Sequence, residues 1–257
     1  MKAVILAGGF GTRISEYTDS IPKPMIEVGG YPILYHVMSV FASQGVTEFI
    51  VAAGYRAEII KSFFLNLSNL NSNFTVNLGT GEVEYHNRNS VDWRVTVVDT
   101  GLNSMTGGRL LRLRKFLDDD PFYFTYGDGL ANADLAGVYS RFHESNRTVV
   151  ALTAVNPTAR FGGLEMSDSG RVFGFKEKPS QSNMWVNGGY MLMSPEVFDY
   201  LDSDMDNLET DALPKIAENG CMVGCRHKGF WHCVDTKRDL DYIRGLWSTR
   251  EVPPWLE

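Results

Sequence analysis

The chain is short of cysteine, of long apolar runs and of basic charge, and each shortage removes a class of protein. Three cysteines (Cys221, Cys225 and Cys233) in 257 residues cannot make a disulfide framework, and they fit a reducing compartment. Cys221 and Cys225 beside His227, His232 and Cys233 invite a zinc reading. The segment alternates like a strand, however, and Gly229-Phe230-Trp231 interrupts it, so reduced thiols are expected. No apolar stretch approaches the roughly 18 residues of a membrane span. The N-terminus enters a strand-like run without the layout of a signal peptide. A cytoplasmic protein without a membrane partner is expected. The net charge of −7 argues against general nucleic-acid binding, and an acidic chain that handles a polyanion must gather its cations locally. None of the five histidines pairs with another at metal-ligand spacing on one helix, so none receives a catalytic role. Internal repeats and low-complexity linkers are absent too.

Two common phosphate-binding signatures are also missing. There is no GxxxxGK[ST] loop and no clean GxGxxG fingerprint. What stands in their place is ILAGGFGTR at 5–13, followed by IPKPM with Lys23 at its centre. A hydrophobic run feeds a glycine-rich turn, whose backbone N–H groups can curl around phosphate oxygens without Cβ interference. Arg13 and Lys23 then supply cations for a polyphosphate.

Hydrophobic residues at 44% and charged residues at 21% suit one large α/β domain at this length. Residues 2–6 read as a buried strand, 32–42 as a helix, 48–53 as a strand and 57–64 as a helix. That alternation predicts a Rossmann-like, mixed but mostly parallel central sheet with helices on both faces, plus small β elements. The asparagine-rich stretch 66–74 reads as a loop, 82–86 and 94–98 as strands, and 109–117 as a helix. Residues 121–126 form an apolar strand that runs into Gly127-Asp128-Gly129. Beyond it, 135–142 is helical, 148–155 a strand, 164–175 a hairpin turning at 168–170, and 186–193 a strand. Helices are expected at 195–201, 208–218 and 239–247, and short strands at 222–225 and 231–234. One continuous domain, 1–257, is expected, with the glycine-rich phosphate-binding turn in a first half (about 1–130) and a second half at about 131–257.

Asp128, directly after an apolar strand, falls at the carboxyl edge of such a sheet, where ligands bind. Asp235 follows the apolar-aromatic run GFWHCV. Two carboxylates from separate strands can hold one Mg²⁺. A turn aspartate and a helix N-cap are the plainer alternatives, and the residues alone leave them open.

The motifs, taken in order, resemble those of the sugar-nucleotide pyrophosphorylases. LAGGFGTR and PKPM mark the superfamily. VDTGLNSMTGGRL (98–110), FTYGDGLA (124–131), RFGGLE (160–165), FKEKP (175–179), NGG (187–189) and GFWHCVDT (229–236) extend the resemblance over nearly the whole chain. SMTGGR and GFWxxxDT are similar to the branch that uses CTP.

The resemblance implies transfer of a cytidylyl group from CTP to α-D-glucose 1-phosphate, giving CDP-glucose and pyrophosphate. Mg²⁺ is the implied cofactor, held by Asp128 and Asp235. A homo-oligomer is implied, hexameric in relatives of this branch, with 66–92 and the Trp255 tail as candidate interface elements. The implied setting is dideoxyhexose synthesis for surface polysaccharide. Arg13 is expected on the β- and γ-phosphates, and Lys23 on the α-phosphate and the incoming sugar phosphate. Leu6, Ala7, Gly8, Gly9, Gly11, Thr12, Thr100, Ser104, Arg109, Gly127 and Asp128 complete the expected nucleotide site. Thr106, Gly162, Glu177, Lys178, Asn187, Gly188 and Trp231 make the expected sugar-phosphate site, with a capping role for Thr106 and a core role for Trp231 as alternatives.

Arg109 and Ser104 are the candidates for reading the base. Thymidylyl and uridylyl relatives carry a glutamine-containing motif in this region, and here no glutamine lies between Gln44 and Gln181. Three other functions compete: the same chemistry on another sugar 1-phosphate or nucleotide, a non-catalytic nucleotide-sugar sensor, and a dinucleotide-dependent oxidoreductase. Retention of Arg13, Lys23, Asp128, Lys178 and Asp235 argues against the sensor. The missing third glycine argues against the oxidoreductase.

Overall fold

The computed structural model describes the chain except residues 88–90, 158–162, 168, 170 and 177–183. In chain order it runs β1 (Lys2–Ala7), α1 (Ser15–Thr18), β2 (Glu27–Val28), β3 (Tyr31–Pro32), α2 (Ile33–Ala42), β4 (Glu48–Ala53), α3 (Ala57–Leu70), β5 (Asn73–Val76), β6 (Val83–Asn87), β7 (Arg94–Asp99), α4 (Thr106–Leu113), β8 (Phe122–Tyr126) and β9 (Gly129–Ala131). It continues through α5 (Leu135–Phe142), β10 (Val150–Val155), β11 (Gly163–Met166), β12 (Val172–Lys176), β13 (Val186–Met193), α6 (Leu213–Glu218), β14 (Met222–His227), β15 (Trp231–Cys233) and α7 (Lys237–Thr249).

Seven strands form the central sheet in the order β14-β10-β13-β8-β1-β4-β7. β1 runs parallel to β4 and β8, β4 to β7, and β10 to β14, while β13 is antiparallel to β8 and β10. The sheet is therefore mixed and mostly parallel, as expected. Side chains of β1 alternate between its faces. Ala3, Ile5 and Ala7 join one core with Ile33, Val37 and Phe41 of α2, while Val4 and Leu6 join another with Leu110 and Leu113 of α4. Burial on both faces explains why β1 and β4 are near-continuous apolar runs.

From β1 the chain builds outward through β4 to β7, then returns to the far side of β1 to form β8. The crevice at the carboxyl ends of β1 and β8 is thus a topological switch point. Gly8 and Asp128 lie there.

Four expectations are corrected. The stretch 66–74 is not a loop: α3 continues to Leu70, and β5 pairs with β6. Phe64 and Leu67 of that helix line a groove with Tyr31, Tyr35 and Trp93, so apolar packing overrides the polar composition. α4 begins at Thr106, earlier than expected, and gives way to a 3-10 turn (Arg114–Phe116). Its two glycines are needed because the 201–206 segment passes close by. A Cβ on Gly108 would lie 2.1 Å from the Asp204 carbonyl oxygen, and one on Gly107 2.7 Å from Leu201. The helix expected at 208–218 opens with a π-helical turn (Leu208–Ala212) before α6. Trp255 is no interface residue of this chain's surface: it is buried, with its ring against His36, Phe230 and Trp247. Among the described residues no helix is long and apolar enough to cross a membrane.

Candidate active site

The glycine-rich turn leaves β1 with two glycines that other groups approach closely. Gly8 lies against the guanidinium of Arg109, whose Nη1 would stand 2.2 Å from a Cβ there. Gly11 has φ of +65°, and a Cβ on it would fall 2.8 Å from Thr18 Cγ2 and 2.9 Å from Lys23 Cβ. Among the described residues, the N–H groups of Gly9, Phe10 and Gly11 donate to no backbone carbonyl, so they remain open to phosphate oxygens. A 3-10 turn (Thr12–Ile14) then carries Arg13 outward, its side chain 75% exposed.

Lys23 is buried, which is unusual for a lysine. Pro22 is extended and starts a 3-10 turn (Lys23–Met25). Pro24 packs beneath Gly127, its Cγ 3.0 Å from where a Cβ would be, and Gly127 N donates to Leu6 O at 2.9 Å. The two prolines thus fix the lysine against the end of β8. Its Nζ donates to Asp128 Oδ2 at 2.6 Å and to Asp235 Oδ1 at 2.7 Å, while Arg13 Nη1 reaches Asp235 Oδ2 at 2.9 Å. Burial by itself would lower the Lys23 pKa; the charge and hydrogen bond of Asp128 and the hydrogen bond to Asp235 outweigh it and hold it above the ordinary value. Burial would likewise raise Asp235, but Lys23, Arg13 and the Cys233 thiol hold its carboxyl below the ordinary range.

The two carboxylates share one support. β9 and β15 form a small antiparallel ladder, with Gly129 opposite Cys233, and Val234 N donates to Asp128 O at 2.9 Å. Helix capping is not the task of Asp235. Thr236 is the N-cap of α7, in a capping box with Asp239, which leaves the Asp235 carboxylate facing the cleft. One ligand atom each from Asp128, Cys233 and Asp235 lies within 4.8 Å of the others. Two carboxylates at this separation fit a hard divalent cation, with phosphate oxygens and water to complete its shell. The thiol does not fit one: burial and the charge of Asp128 push its pKa up, and it donates to Asp235. Among the described residues this is the one such cluster, and Cys221 and Cys225 are free thiols outside it.

A cleft of about 490 Å³ joins these groups. Leu6, Ala7, Gly8, Gly9, Gly11, Thr12, Arg13, Lys23, Ser104, Thr106, Arg109, Gly127, Asp128 and Asp235 all line it, which brings together most of the expected nucleotide site. Thr100 does not line it. It is fully buried, and its hydroxyl donates to Ala53 O at 2.7 Å and accepts from Arg109 Nη1 at 2.8 Å, so it braces the wall from behind. Arg109 is also largely committed: Nη1 donates to Gly101 O at 2.7 Å and Nη2 to Leu102 O at 3.1 Å, which shapes the loop 100–102. Ser104 Oγ donates to Thr100 O at 2.6 Å. Thr106 is not an N-cap; Met105 is.

On the other side, Asn187 Oδ1 accepts from Gly189 N at 2.8 Å, and Trp231 Nε1 donates to the carbonyl of the buried Gly188 at 2.8 Å. Gly162, Glu177 and Lys178 lie outside the described residues. Sequence reasoning missed Tyr126, Glu209 and Cys233. A tyrosine directly before Gly127-Asp128 was a usable signal for the first; the other two had none.

A nucleotidyl transferase family model matches residues 2–243, and the chain belongs to that family. Within it, the chain is 42% identical over 254 residues to the glucose-1-phosphate cytidylyltransferase of Salmonella typhi, with 98% of each covered. It is 39% identical over 249 residues to a probable glucose-1-phosphate cytidylyltransferase of Bacillus subtilis, with 96% of each covered. Among solved structures, HddC from Yersinia pseudotuberculosis matches with a TM-score of 0.66 and 26% identity, covering 95% of this chain and 98% of that one. A putative glucose-1-phosphate thymidylyltransferase from Bacillus anthracis shares the fold, with a TM-score of 0.69 at 20% identity over 100% of this chain and 98% of its own.

Proposed function

We propose that the protein transfers the cytidylyl group of CTP to α-D-glucose 1-phosphate, releasing pyrophosphate and forming CDP-glucose. The observation that carries this reading is 42% identity to the Salmonella typhi enzyme along 98% of both chains. The cleft supports it with a cationic pair, two carboxylates and an open row of N–H groups.

A phosphate oxygen of the sugar phosphate attacks the α-phosphorus in line, with pyrophosphate leaving opposite. That oxygen is already ionised at neutral pH, so no general base is needed, and the work left to the protein is alignment and charge neutralisation. Arg13, exposed at the mouth, suits the β- and γ-phosphates, where charge grows as pyrophosphate leaves. Lys23, fixed at the floor, suits the α-phosphate and the attacking phosphate. Each contact strengthens as the transition state forms. Asp128 and Asp235 would hold a magnesium ion, which supplies charge neutralisation on the triphosphate when bound. Lys178 and Glu177 are assigned to the sugar phosphate and sugar hydroxyls by resemblance, with Gly162, Asn187 and Gly188 beside them.

Selection of cytosine is assigned to Ser104 together with Arg109. Because the Ser104 hydrogen is committed to Thr100 O, its oxygen faces the cleft as an acceptor alone. An acceptor suits the N4 amino group of cytosine and repels the O4 carbonyl of uracil. Arg109 keeps donors for the base's O2. Ser104→Ala is expected to narrow the preference for CTP over UTP about tenfold, the effect of one buried polar group. An unchanged ratio of kcat/KM values would remove Ser104 from base selection.

The protein is further proposed to act in the cytoplasm as one domain of two half-sites, in the supply of nucleotide sugar for surface polysaccharide. A homo-oligomer is proposed with the α3 to β6 region at its interface, where Leu65, Phe74 and Leu78 are 77%, 50% and 90% exposed. The test of the main reading is pyrophosphate release with Mg²⁺ over a grid of CTP, UTP, dTTP, ATP and GTP against several sugar 1-phosphates. Release with CTP and glucose 1-phosphate is expected. Release with a different pair would overturn the specificity, and release with none would overturn the activity.

A further inference from the structure

Two cleft-lining hydroxyls point their hydrogens at the same carboxylate. Thr106 Oγ1 donates to Glu209 Oε2 at 2.6 Å, and Tyr126 Oη donates to Glu209 Oε1. Thr106 opens α4 on the nucleotide wall; Tyr126 ends β8 directly before Gly127-Asp128. Glu209 itself sits outside the cleft lining, on the π-helical turn (Leu208–Ala212), a form of helix concentrated at functional sites.

The backbone of the turn that carries Glu209 is well anchored. Glu209 N donates to Asn207 Oδ1 at 3.0 Å, Asn207 N donates to Asp211 Oδ2 at 2.7 Å, and Leu208 N donates to Thr106 Oγ1 at 2.8 Å. Tyr126 also leads to the opposite wall. Its ring packs so near Gly189 that a Cβ there would lie 3.0 Å from Cδ2, and Gly189 N in turn donates to Asn187 Oδ1 at 2.8 Å.

We propose that Glu209 is a positioning residue: it fixes Thr106 and Tyr126 and, through Tyr126, sets Asn187 on the sugar side against the nucleotide wall. The chemistry follows from the hydrogen count. Each hydroxyl has one hydrogen, and both hydrogens go to Glu209. Thr106 and Tyr126 therefore have no hydrogen to offer the cleft; the lone pair that Thr106 keeps beside its bond from Leu208 N, and those of Tyr126, are left as acceptors for the hydroxyls of a sugar. A neutral amide at 209 would accept from one hydroxyl but donate toward the other, reversing it. The anionic form matters, not just the shape.

This inference rests on the sugar-nucleotide reading above. Its test compares Glu209→Gln, Tyr126→Phe and the double variant with the unmodified protein. Pyrophosphate release, KM for each substrate and thermal midpoint are read for all four. Glu209→Gln is expected to raise KM for glucose 1-phosphate about tenfold, the cost of one mispaired buried hydroxyl, and to leave KM for CTP and the thermal midpoint close to the unmodified values. The two substitutions are expected to be non-additive, because both break one network. A fall in thermal midpoint without that KM split, unchanged kinetics, or fully additive effects would overturn the inference and leave the activity standing. If the unmodified protein turns over another substrate pair, the split is read with that sugar phosphate. Turnover of no pair overturns the reading and the inference together.

Discussion

Lys23→Ala is expected to slow pyrophosphate release by about 10²–10³-fold, the cost of removing one preorganised charge from a phosphoryl-type transition state. Lys23 is immobilised by its surroundings. Its Cβ presses on Gly11, Pro24 locks it to Gly127, and its ammonium is anchored on two carboxylates. Little reorganisation remains to be done when the reacting phosphates arrive. Lys23→Arg should not rescue the rate, because a longer, planar guanidinium cannot take the compact seat of the ammonium, 2.6 Å from Asp128 and 2.7 Å from Asp235. The check is single-turnover kinetics with circular dichroism on the same samples. A folded variant within about tenfold of the unmodified rate would take Lys23 out of the transition state.

Asp235→Asn should have the second largest effect, and on a different axis. It removes half of the charge offered to a divalent ion, so the metal concentration for half-maximal rate should rise at least about tenfold, as for loss of a metal-site interaction. Binding of Mn²⁺ followed by electron paramagnetic resonance gives a readout free of turnover. An unchanged metal titration would remove Asp235 from the ligand set.

The same substitution has a pH signature in stability. The Asp235 carboxyl lies below its ordinary 3.8 in the folded protein, so its stabilisation is fully present above that value and is lost as pH falls through the folded pKa. Lys23 lies above its ordinary 10.5, so its share is present below that and is lost as pH rises through the higher folded value. The difference in unfolding free energy between unmodified and Asp235→Asn protein should therefore be flat from about pH 5 to about pH 9 and shrink in acid, as pH falls below about 4.

Much of the site was legible because its constraints are local. A turn that takes φ of +65° at Gly11 and folds over Lys23 requires glycine there, and a lysine between prolines cannot be a helix interior. An aspartate between glycines after an apolar strand must sit at the sheet's edge. What was illegible arises from contacts between distant segments. Glu209 looks like an ordinary helix-opening acid until Thr106 and Tyr126, 103 and 83 residues away, are brought to it. Thr100 shows the converse: its motif is right, yet burial turns it from a ligand contact into a brace. Trp255 resembles an exposed anchor only until His36 and Trp247 are seen to cover it. The polar run at 66–74 misled for the same reason, since Leu67 lines a groove whose other wall comes from Tyr31, Tyr35, Val95 and Val97 of β3, α2 and β7.

The β9–β15 ladder has a consequence for the timing of synthesis. Asp128 directly precedes β9, which among the described residues pairs with β15 alone, a strand made much later, and Lys23 lies 212 residues before the carboxylate Asp235. On a ribosome adding roughly 5–20 residues per second, about 5–20 s pass between the two aspartates. During that interval the nascent chain carries a glycine-rich phosphate loop and its lysine but only one of the two acids. The charge pairing of Lys23 is thus completed only when Asp235, the last-made of its two partners, emerges.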